Sequence, residues 1–408
     1  MSGAAETVTA RRRVEALWRI ESARIVGALA RYTGDLALAE DVAQEALAEA
    51  LVNWPREGIP RDPVAWLLTT GRRRAIDTFR RRSALDDRLP QLDTGPAPER
   101  PDDTDDDVLT LMFTACHPVL SREARVALTL RVVGGLTSDE IARAFLVSTA
   151  TVQARITRAK KSLGAADAGF EAPQADELGS RLASVLSVVY VIFTEGSSAS
   201  SGGSLIRFDL AGEARRLARV LARLMPGENE VHGLSALLEL TSARFPARTD
   251  ADGEPVLLED QNRRLWDTSA IRRGRAALRS AERIGRGLGY YGLQAAIAEC
   301  HAVAPSVAET DWDRIVALYE ALGTLAPSPI VELNRAVAVS RDPAEALPLV
   351  DAVAEGLPGS HQVAGVRGEL LLRLGRTAEA RAELERAVSQ CGNDRERTVL
   401  TRKLATLD

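Results

Sequence analysis

The chain has 408 residues, of which 45% are hydrophobic and 27% charged, and its formal net charge is −5 at pH 7. This length predicts about two or three domains, and the composition is typical of a soluble helical protein rather than a disordered or fibrous one. The sequence contains neither a signal peptide nor an uninterrupted apolar span of about twenty residues, so we expect a cytoplasmic protein without a membrane partner.

The cysteines are Cys116, Cys300 and Cys391, which lie far apart in the sequence. An odd number at these separations argues against a disulfide framework. Two of them precede a histidine, as Cys116-His117 and Cys300-His301, but neither pair has the spacing of zinc ligands. We therefore expect three buried structural thiols and neither a metal nor another cofactor.

The first predicted module spans residues 11–82 and contains three helices. The first covers Arg12 to Arg31, and the second covers Leu36 to Asn53 with an apolar stripe of Leu38, Val42, Ala46, Leu47, Ala50 and Leu51. Its outer face is predicted to expose five polar residues: Glu40, Asp41, Gln44, Glu45 and Glu49. Trp54 to Pro63 contains three prolines and one glycine and is predicted to be a loop, after which Asp62-Pro63 begins the third helix.

The third helix is strongly basic. Six arginines fall within the eleven residues from Arg72 to Arg82, while Ile76 and Phe79 are predicted to point inward. Such a cluster on one helix is typical of a surface that binds the phosphates of a nucleic acid.

An acidic segment follows, over residues 83–107. Its last part, Asp86 to Asp107, holds nine acidic residues and only two arginines. Because it is also rich in proline and ends in the run Asp102 to Asp107, we predict a flexible linker between two cationic modules.

The second module spans residues 108–165 and ends in a predicted helix-turn-helix. Val108 to Leu120 and Ser121 to Val133 are predicted helices, with Leu111, Met112, Val119, Leu120, Val126, Leu128 and Leu130 as core. A short helix follows over Leu136 to Phe145, and Ser148 is placed to cap a last helix whose inward stripe is Val152, Ile156, Ala159 and Leu163.

The other face of that last helix carries cations and amide or hydroxyl groups. Residues 148–161 contain four cations and no acid. Arginine and glutamine can read base edges in a major groove while the other groups bind phosphate, although an ordinary basic surface helix would look the same. The residues predicted to contact DNA are Thr149, Gln153, Arg155, Thr157, Arg158 and Lys161, and Lys160 is placed on the same face.

These motifs together resemble the sigma-70 family of transcription initiation factors. Glu40-Asp41-Val42 with Gln44-Glu45, Trp66-Leu67, and Arg74-Ala75-Ile76-Asp77 beside an arginine cluster resemble region 2. Glu140-Ile141-Ala142, Thr151-Val152 with Arg155, and Arg158-Ala159-Lys160 resemble region 4. The order and separation of the two regions are similar to those of the extracytoplasmic-function group, and they cover about the first 165 residues.

The resemblance implies three binding surfaces. It implies that Glu40, Asp41, Gln44 and Glu45 bind core RNA polymerase, and that the helix-turn-helix face binds the minus-thirty-five promoter element. It also implies that the Trp54 to Pro63 loop and the arginine helix bind the minus-ten element. The predicted minus-ten residues are Arg56, Arg61, Arg72, Arg73, Arg74, Asp77, Arg80 and Arg81, although the family usually has asparagine where this chain has Arg73. Trp54 and Trp66 could stack on bases, but each lies on an apolar helical stripe, so core roles are expected for both.

The rest of the chain is predicted to be helical, and the fold class is therefore all-α. Apolar periodicity predicts helices over residues 182–193, 211–224, 230–244, 267–286, 293–302 and 311–323, with a loop at 195–203. Ala344-Glu345-Ala346 recurs as Ala378-Glu379-Ala380 after 34 residues, which is the tetratricopeptide period. We divide this part into a helical domain over residues 175–325 and tetratricopeptide-like repeats over 326–408.

The C-terminal part resembles the extension of one branch of the extracytoplasmic-function group, which implies a regulatory role. A concave helical array offers a groove for a peptide, for the polymerase, or for the N-terminal domains of the same chain. An alternative is a ligand-sensing helix-turn-helix regulator that does not bind polymerase. An enzyme is disfavoured, because the four histidines show no nucleophile or metal pattern.

Overall fold

The computed structural model describes residues 2–83, 101–145, 147–166, 168–197, 207–250, 254–392 and 394–407. Across these residues the chain forms α-helices and two short 3-10 helices and has no β-strand, so the predicted all-α class is confirmed. The chain divides into two compact units, residues 1–191 and 192–408.

The first unit contains α1 to α7 and the first part of α8. The helices are α1 (Ser2–Thr33), α2 (Leu36–Glu57), α3 (Pro63–Ser83), α4 (Pro101–Ala115), α5 (Arg122–Val132), α6 (Ser138–Phe145), α7 (Thr149–Ala165) and α8 (Leu178–Ser197).

The second helix is longer than the sequence predicts, because it continues through Pro55 to Glu57. A proline inside a helix costs about 3 kcal/mol. Trp54 is buried and packs edge-on against Trp66, with ring centroids 5.3 Å apart, and burial on this scale offsets that cost. The helix ends at Gly58, whose φ of 91° disfavours other residues. The predicted loop from Trp54 to Pro63 is thus limited to residues 58–62.

The acidic run is not a linker, because α4 begins at Pro101 and includes Asp102 to Asp107. Proline at the first helical position and acids in the first turns favour a helix N-terminus. Asp107 is buried and pairs with Arg31 of α1 at 3.4 Å. The remainder of the predicted linker, residues 84–100, lies outside the described residues.

The two predicted modules are packed together within the first unit. A Cβ added at Gly27 of α1 would lie 3.0 Å from the carbonyl oxygen of Asp107, so the backbones of α1 and α4 are in close contact. Gly135, with φ of 68°, similarly lies against Ser22 of α1. The structure therefore contradicts the prediction that a flexible linker keeps the two modules apart.

The core of the second module follows the predicted pattern except at Val119. Leu111, Met112, Leu128 and Leu130 are buried, as are Leu120 and Val126. Val119 is 46% exposed because it lies in the turn between α4 and α5, where its N–H donates to His117 Nδ1 at 3.2 Å.

Helix α8 runs from the first unit into the second. Its predicted apolar face is confirmed, because Leu182, Val185, Val189 and Phe193 are buried. By length and mean hydropathy, 1.4, this helix could cross a membrane, but the core helix of a soluble protein satisfies the same test. Helix α8 includes Glu195 to Ser197, which were predicted to begin a loop; the rest of that loop, residues 198–203, lies outside the described residues.

The second unit continues with helices α9 to α18. They are α9 (Phe208–Leu224), α10 (Asn229–Ser242), α11 (Thr268–Ile284), α12 (Gly289–Val303), α13 (Trp312–Leu325), α14 (Pro329–Val339), α15 (Pro343–Ala354), α16 (His361–Arg373), α17 (Thr377–Gln390) and α18 (Asp394–Ala405), with 3-10 helices at Phe245–Ala247 and Arg263–Leu265.

Two packing patterns organise this unit. Helix α10 is mostly buried between α9, α11 and α12, and Gly233 lets its backbone approach that of Gly292. From α12 onward each helix packs on the next in sequence. Ala346 and Ala380, separated by the 34-residue displacement, occupy the same position in α15 and α17 and are fully buried in one core. A tetratricopeptide assignment stays a prediction.

Candidate nucleic-acid interface

The helix-turn-helix is present where the sequence predicts it, as α6 and α7. Ser148 caps α7 by accepting a hydrogen bond from the N–H of Thr151 at 3.1 Å. The four residues of the predicted inward stripe are all buried: Val152, Ile156, Ala159 and Leu163. Helices α5 and α6 pack against this stripe, so the opposite face of α7 is held outward.

Most of the predicted DNA-contacting residues lie on that outward face. Gln153, Thr157, Arg158 and Lys161 are exposed, while Thr149 and Arg155 are half-buried. The Thr149 hydroxyl donates to Asp139 Oδ1 at 2.7 Å, and Arg158 Nε donates to the carbonyl of Ala154 at 3.2 Å. This face presents amide, hydroxyl and guanidinium groups along α7.

Lys160 does not lie on this face, contrary to its predicted position. Its ammonium group donates to Asp41 Oδ1 at 2.8 Å and also to Glu40 Oε2. Burial opposes the charged form of Lys160, but Glu40 and Asp41 outweigh it and raise the pKa of the lysine. Lys160 is therefore bound to α2 of the first module.

Glu40 was predicted on the outer face of α2, and this placement is wrong. Only 4% of the residue is exposed, because α5 and α7 cover it. Arg131 Nε donates to Glu40 Oε1 at 2.9 Å, while Lys160 binds the other oxygen. Burial raises the pKa of the carboxyl, but Lys160 and Arg131 outweigh this effect and lower it, so Glu40 is ionised.

The other predicted polymerase-binding residues are more accessible. Asp41 has a side chain that is 65% exposed although it pairs with Lys160. Gln44 is half-buried and Glu45 is exposed. The acidic surface of α2 is thus open at Glu45 and covered at Glu40. Arg19 of α1 also pairs with Glu140 of α6, which adds another ionic contact between the modules.

Arg131 is a residue that the sequence analysis missed. It is the single charged residue between Val126 and Val133, a largely apolar segment at the end of α5, and this pattern signals a partner for a buried charge. The sequence does not identify that partner, because Glu40 lies 91 residues away.

The basic helix α3 presents most of its predicted minus-ten residues to solvent. Arg73, Asp77, Arg80 and Arg81 on α3, together with Arg56 and Arg61 before it, are exposed. Arg74 differs because its Nη2 donates to Glu49 at 2.9 Å, an interaction that raises the pKa of the guanidinium. The half-buried Arg72 lies over the ring of Tyr32, 5.7 Å from its centroid.

The two tryptophans flank the loop at residues 58–62. Trp54 is 3% exposed and belongs to the core, as predicted, whereas Trp66 is half-buried. An accessible ring beside exposed arginines is suited to stacking on an unpaired base.

Comparisons with known proteins give three matches to family models. Residues 17–84 match "Sigma-70 region 2", and residues 110–163 match "Sigma-70, region 4". Residues 181–282 match a "Family of unknown function (DUF6596)".

A relative of similar length was also found. An uncharacterized protein of Rhizobium meliloti (strain 1021) is 46% identical over 395 residues, which cover 93% of this chain and 92% of that protein. No solved structure matches the chain.

Proposed function

Because residues 17–84 and 110–163 place this chain in the sigma-70 family, we propose that it is a promoter-specificity subunit of bacterial RNA polymerase, of the extracytoplasmic-function group, with a fused C-terminal regulatory domain. The observation that carries the proposal is the pairing of two exposed cationic helices, α3 and α7, with an acidic surface on α2 in one compact unit. Cytoplasmic location and the absence of a cofactor are part of the proposal.

In this proposal α7 reads the minus-thirty-five element. Gln153 and Arg158 lie on its exposed face and contact base edges, while Thr149, Arg155, Thr157 and Lys161 position the helix on the backbone. The helix-turn-helix geometry and the absence of acids from residues 148–161 support these roles.

The second DNA contact is to the melted minus-ten element. Arg56, Arg61, Arg73, Arg80 and Arg81 bind the strand electrostatically, and Trp66 offers a ring for stacking. Asp77 takes part from the same helix. Arg72 and Arg74 already contact Tyr32 and Glu49 within the module. They bind the DNA strand after these contacts are replaced by contacts to phosphate.

The polymerase surface consists of Glu40, Asp41, Gln44 and Glu45. Since Glu40 is covered by Arg131 and Lys160, the described arrangement is a closed form in which the second module blocks part of this surface. Binding of polymerase then requires that α7 moves away from α2. Opening exchanges the contacts to Glu40 for contacts to the polymerase and frees Lys160.

Reconstituted transcription tests the function. The full chain is mixed with bacterial core RNA polymerase and a library of promoter fragments, and promoter-dependent transcripts are expected. Failure to associate with core polymerase overturns the proposal, and specific DNA binding without such association would instead favour a ligand-sensing helix-turn-helix regulator.

A pair of matched variants locates the polymerase surface. Glu45→Ala and Glu57→Ala each remove one exposed carboxylate from α2. Only Glu45→Ala is expected to weaken the complex with core polymerase. Equal affinities for the two variants would contradict the assignment.

The regulatory role of the C-terminal domain is tested by truncation. The truncated chain has to include α8, because Ser184 of this helix donates to the carbonyl of Cys116 at 2.8 Å and accepts from Arg125 at 2.9 Å within the first unit. A chain ending at Ser197 keeps these contacts. A clear loss or gain of transcription relative to the full chain supports a regulatory role, and unchanged transcription under all conditions contradicts it.

A further inference from the structure

Three residues with metal-binding side chains meet within the second unit. His361, Cys391 and Glu396 place their ligand atoms within 4.8 Å of one another, and His361 Nε2 lies 3.3 Å from Glu396 Oε2. His361 is the first residue of α16, Cys391 follows α17, and Glu396 lies in the first turn of α18. The tertiary fold, rather than a local motif, brings them together.

The backbone around the cluster is held by hydrogen bonds. The carbonyl of Cys391 accepts from Arg397 Nε at 3.2 Å and from Arg397 Nη2 at 2.6 Å, which ties the C-terminal end of α17 to α18. Ser360 caps α16 next to His361 by accepting from the N–H of Val363. These bonds hold the backbone that carries two of the three side chains.

The cluster borders a cavity of about 500 Å³ inside the same unit. His361 and Glu396 line its wall together with Val366, Leu370 and Leu400. Cys391 is buried and is not one of the residues that line the cavity. A metal ion held by these three groups would therefore be anchored on the core side and have an open coordination position on the side of the cavity.

We propose that His361, Cys391 and Glu396 bind a divalent transition-metal ion, best matched by Zn²⁺, with a fourth position open to the cavity. Imidazole, thiolate and carboxylate are the ligands that zinc takes in proteins, and a site with three protein ligands leaves one position for water or another molecule. A thiolate and a carboxylate together neutralise the charge of the ion.

The distances permit this coordination with small side-chain rotations. Tetrahedral zinc, with bonds of about 2.0–2.3 Å, places its ligand atoms roughly 3.4–3.6 Å apart. His361 and Glu396 already meet this requirement, and the Cys391 thiol needs a shift on the order of 1 Å. Arg248, another residue of the cavity wall, interacts electrostatically with Glu396, so a metal ion has to compete with this guanidinium for the carboxylate.

Cobalt and zinc titrations of the full chain test the site. After dialysis against a chelator, Co²⁺ is added and the thiolate-to-cobalt charge-transfer band is followed in the near ultraviolet. One equivalent of Co²⁺ is expected to give the band, and Zn²⁺ is expected to remove it by displacement. Thermal unfolding of the second unit should shift upward with metal, because the ion joins α16, α17 and α18.

Matched variants show whether the cluster is the site. Cys391→Ser is expected to abolish the band and His361→Ala to weaken affinity by more than about 100-fold, the upper end of the cost of losing an outer-shell partner. Cys300→Ser and His232→Ala, which alter the same residue types elsewhere in the unit, should bind as the unaltered chain does.

Either of two results overturns the proposal of a metal site. Absence of a thiolate band in the unaltered chain, or an unchanged affinity in His361→Ala, excludes this site. If Cys391→Ser loses its helical circular dichroism, His361→Ala decides alone, because His361 is half-buried and its loss opens no core cavity. Metal binding is measured without polymerase or DNA, so its outcome is independent of the proposed promoter function.

Discussion

Each unit of the molecule contains a buried glutamate that binds more than one cation. Glu239 of α10 is 2% exposed and lies 2.8 Å from Arg215, 3.3 Å from Arg219 and 3.0 Å from Arg273. Glu40 of α2 is 4% exposed and binds Arg131 and Lys160. The local chemistry is similar, but the elements that the two clusters join are not.

Glu239 joins helices that share a large apolar core. Its partners lie on α9 and α11, both of which pack along α10, so opening this cluster would also expose buried leucines. Glu40 instead joins two modules whose contact between α2 and α7 is centred on charged groups. When α7 separates from α2, the charged groups return to water. Part of the free-energy cost of removing them from water is then recovered. We therefore propose that the Glu239 cluster is a permanent lock and that the Glu40 cluster is a reversible latch between α2 and α7.

The largest effect is expected when the Glu239 cluster, the lock, is broken. Glu239→Ala leaves three arginines without their shared partner, and we expect the free energy of unfolding of the second unit to fall by about 3 kcal/mol, the lower end of the range for a broken buried pair, because the side chains of Arg219 and Arg273 are 51% and 42% exposed. Urea unfolding followed by circular dichroism measures it. Glu379→Ala is the control, because its pair with Arg376 is exposed and such pairs contribute little. Similar unfolding of the two variants would show that Glu239 is not a structural lock.

The next effect concerns the latch. Lys160→Ala removes one of the two cations on Glu40 while Arg131 stays, so the closed form should lose about 2 kcal/mol, the lower end of the range for a buried charge pair. If the closed form dominates in the free chain, apparent affinity for core polymerase rises by up to about 30-fold. Affinity is measured by titration of labelled chain with core polymerase in the absence of DNA.

The adjacent lysine supplies the matched control for this experiment. Lys161→Ala makes the same charge change one residue further along α7, on the exposed face. It should leave polymerase affinity unchanged without DNA and weaken binding to DNA of every sequence. If Lys160→Ala binds polymerase no better than Lys161→Ala, the closed form does not block the polymerase surface.

A smaller effect is expected where the recognition helix reads bases. Gln153→Ala should reduce selectivity for the cognate minus-thirty-five element by about tenfold, within the range of about 1–3 kcal/mol for a base contact. Arg158→Ala should act in the same direction. Competition transcription on paired promoters measures selectivity. Equal losses on cognate and mutated elements would assign these residues to the phosphate backbone instead.

The latch also separates what the sequence could predict from what it could not. The period of apolar residues is local information, and it correctly placed the buried stripe of α7 and the capping role of Ser148. The burial of Glu40 depends on cations 91 and 120 residues away, and glutamate is usually exposed. The prediction therefore placed it on the surface.

The other differences have the same origin. Asp102 to Asp107 have the composition of a disordered segment, but packing of α4 against α1 makes them helical. Helix α2 continues beyond Pro55 because the ring of the preceding residue, Trp54, is buried in the module. The grouping of His361, Cys391 and Glu396 likewise follows from the stacking of α16 to α18 and from no spacing in the sequence. Long-range packing decided each of these features.

The smallest expected effect is that of pH near neutrality on closure, the contact of α7 with α2. The pKa of Glu40 is lowered from 4.5 in the closed form, so its contribution to closure is complete above that value and lost as pH falls through the lowered pKa. The pKa of Lys160 is raised from 10.5, so its contribution is complete below 10.5 and lost as pH rises through the raised pKa. Between these limits closure should be independent of pH.

Energy transfer between labels on Glu57→Cys and Ala150→Cys, one exposed position in each module, measures closure. A flat signal across the neutral range with transitions at both extremes is expected. In Lys160→Ala the alkaline transition should disappear, whereas the acid transition should persist because Glu40 still pairs with Arg131. A transition near neutral pH would mean that a group other than these two controls the latch. If closure does not change with pH across the neutral range, polymerase and DNA are left as the ligands that open the latch.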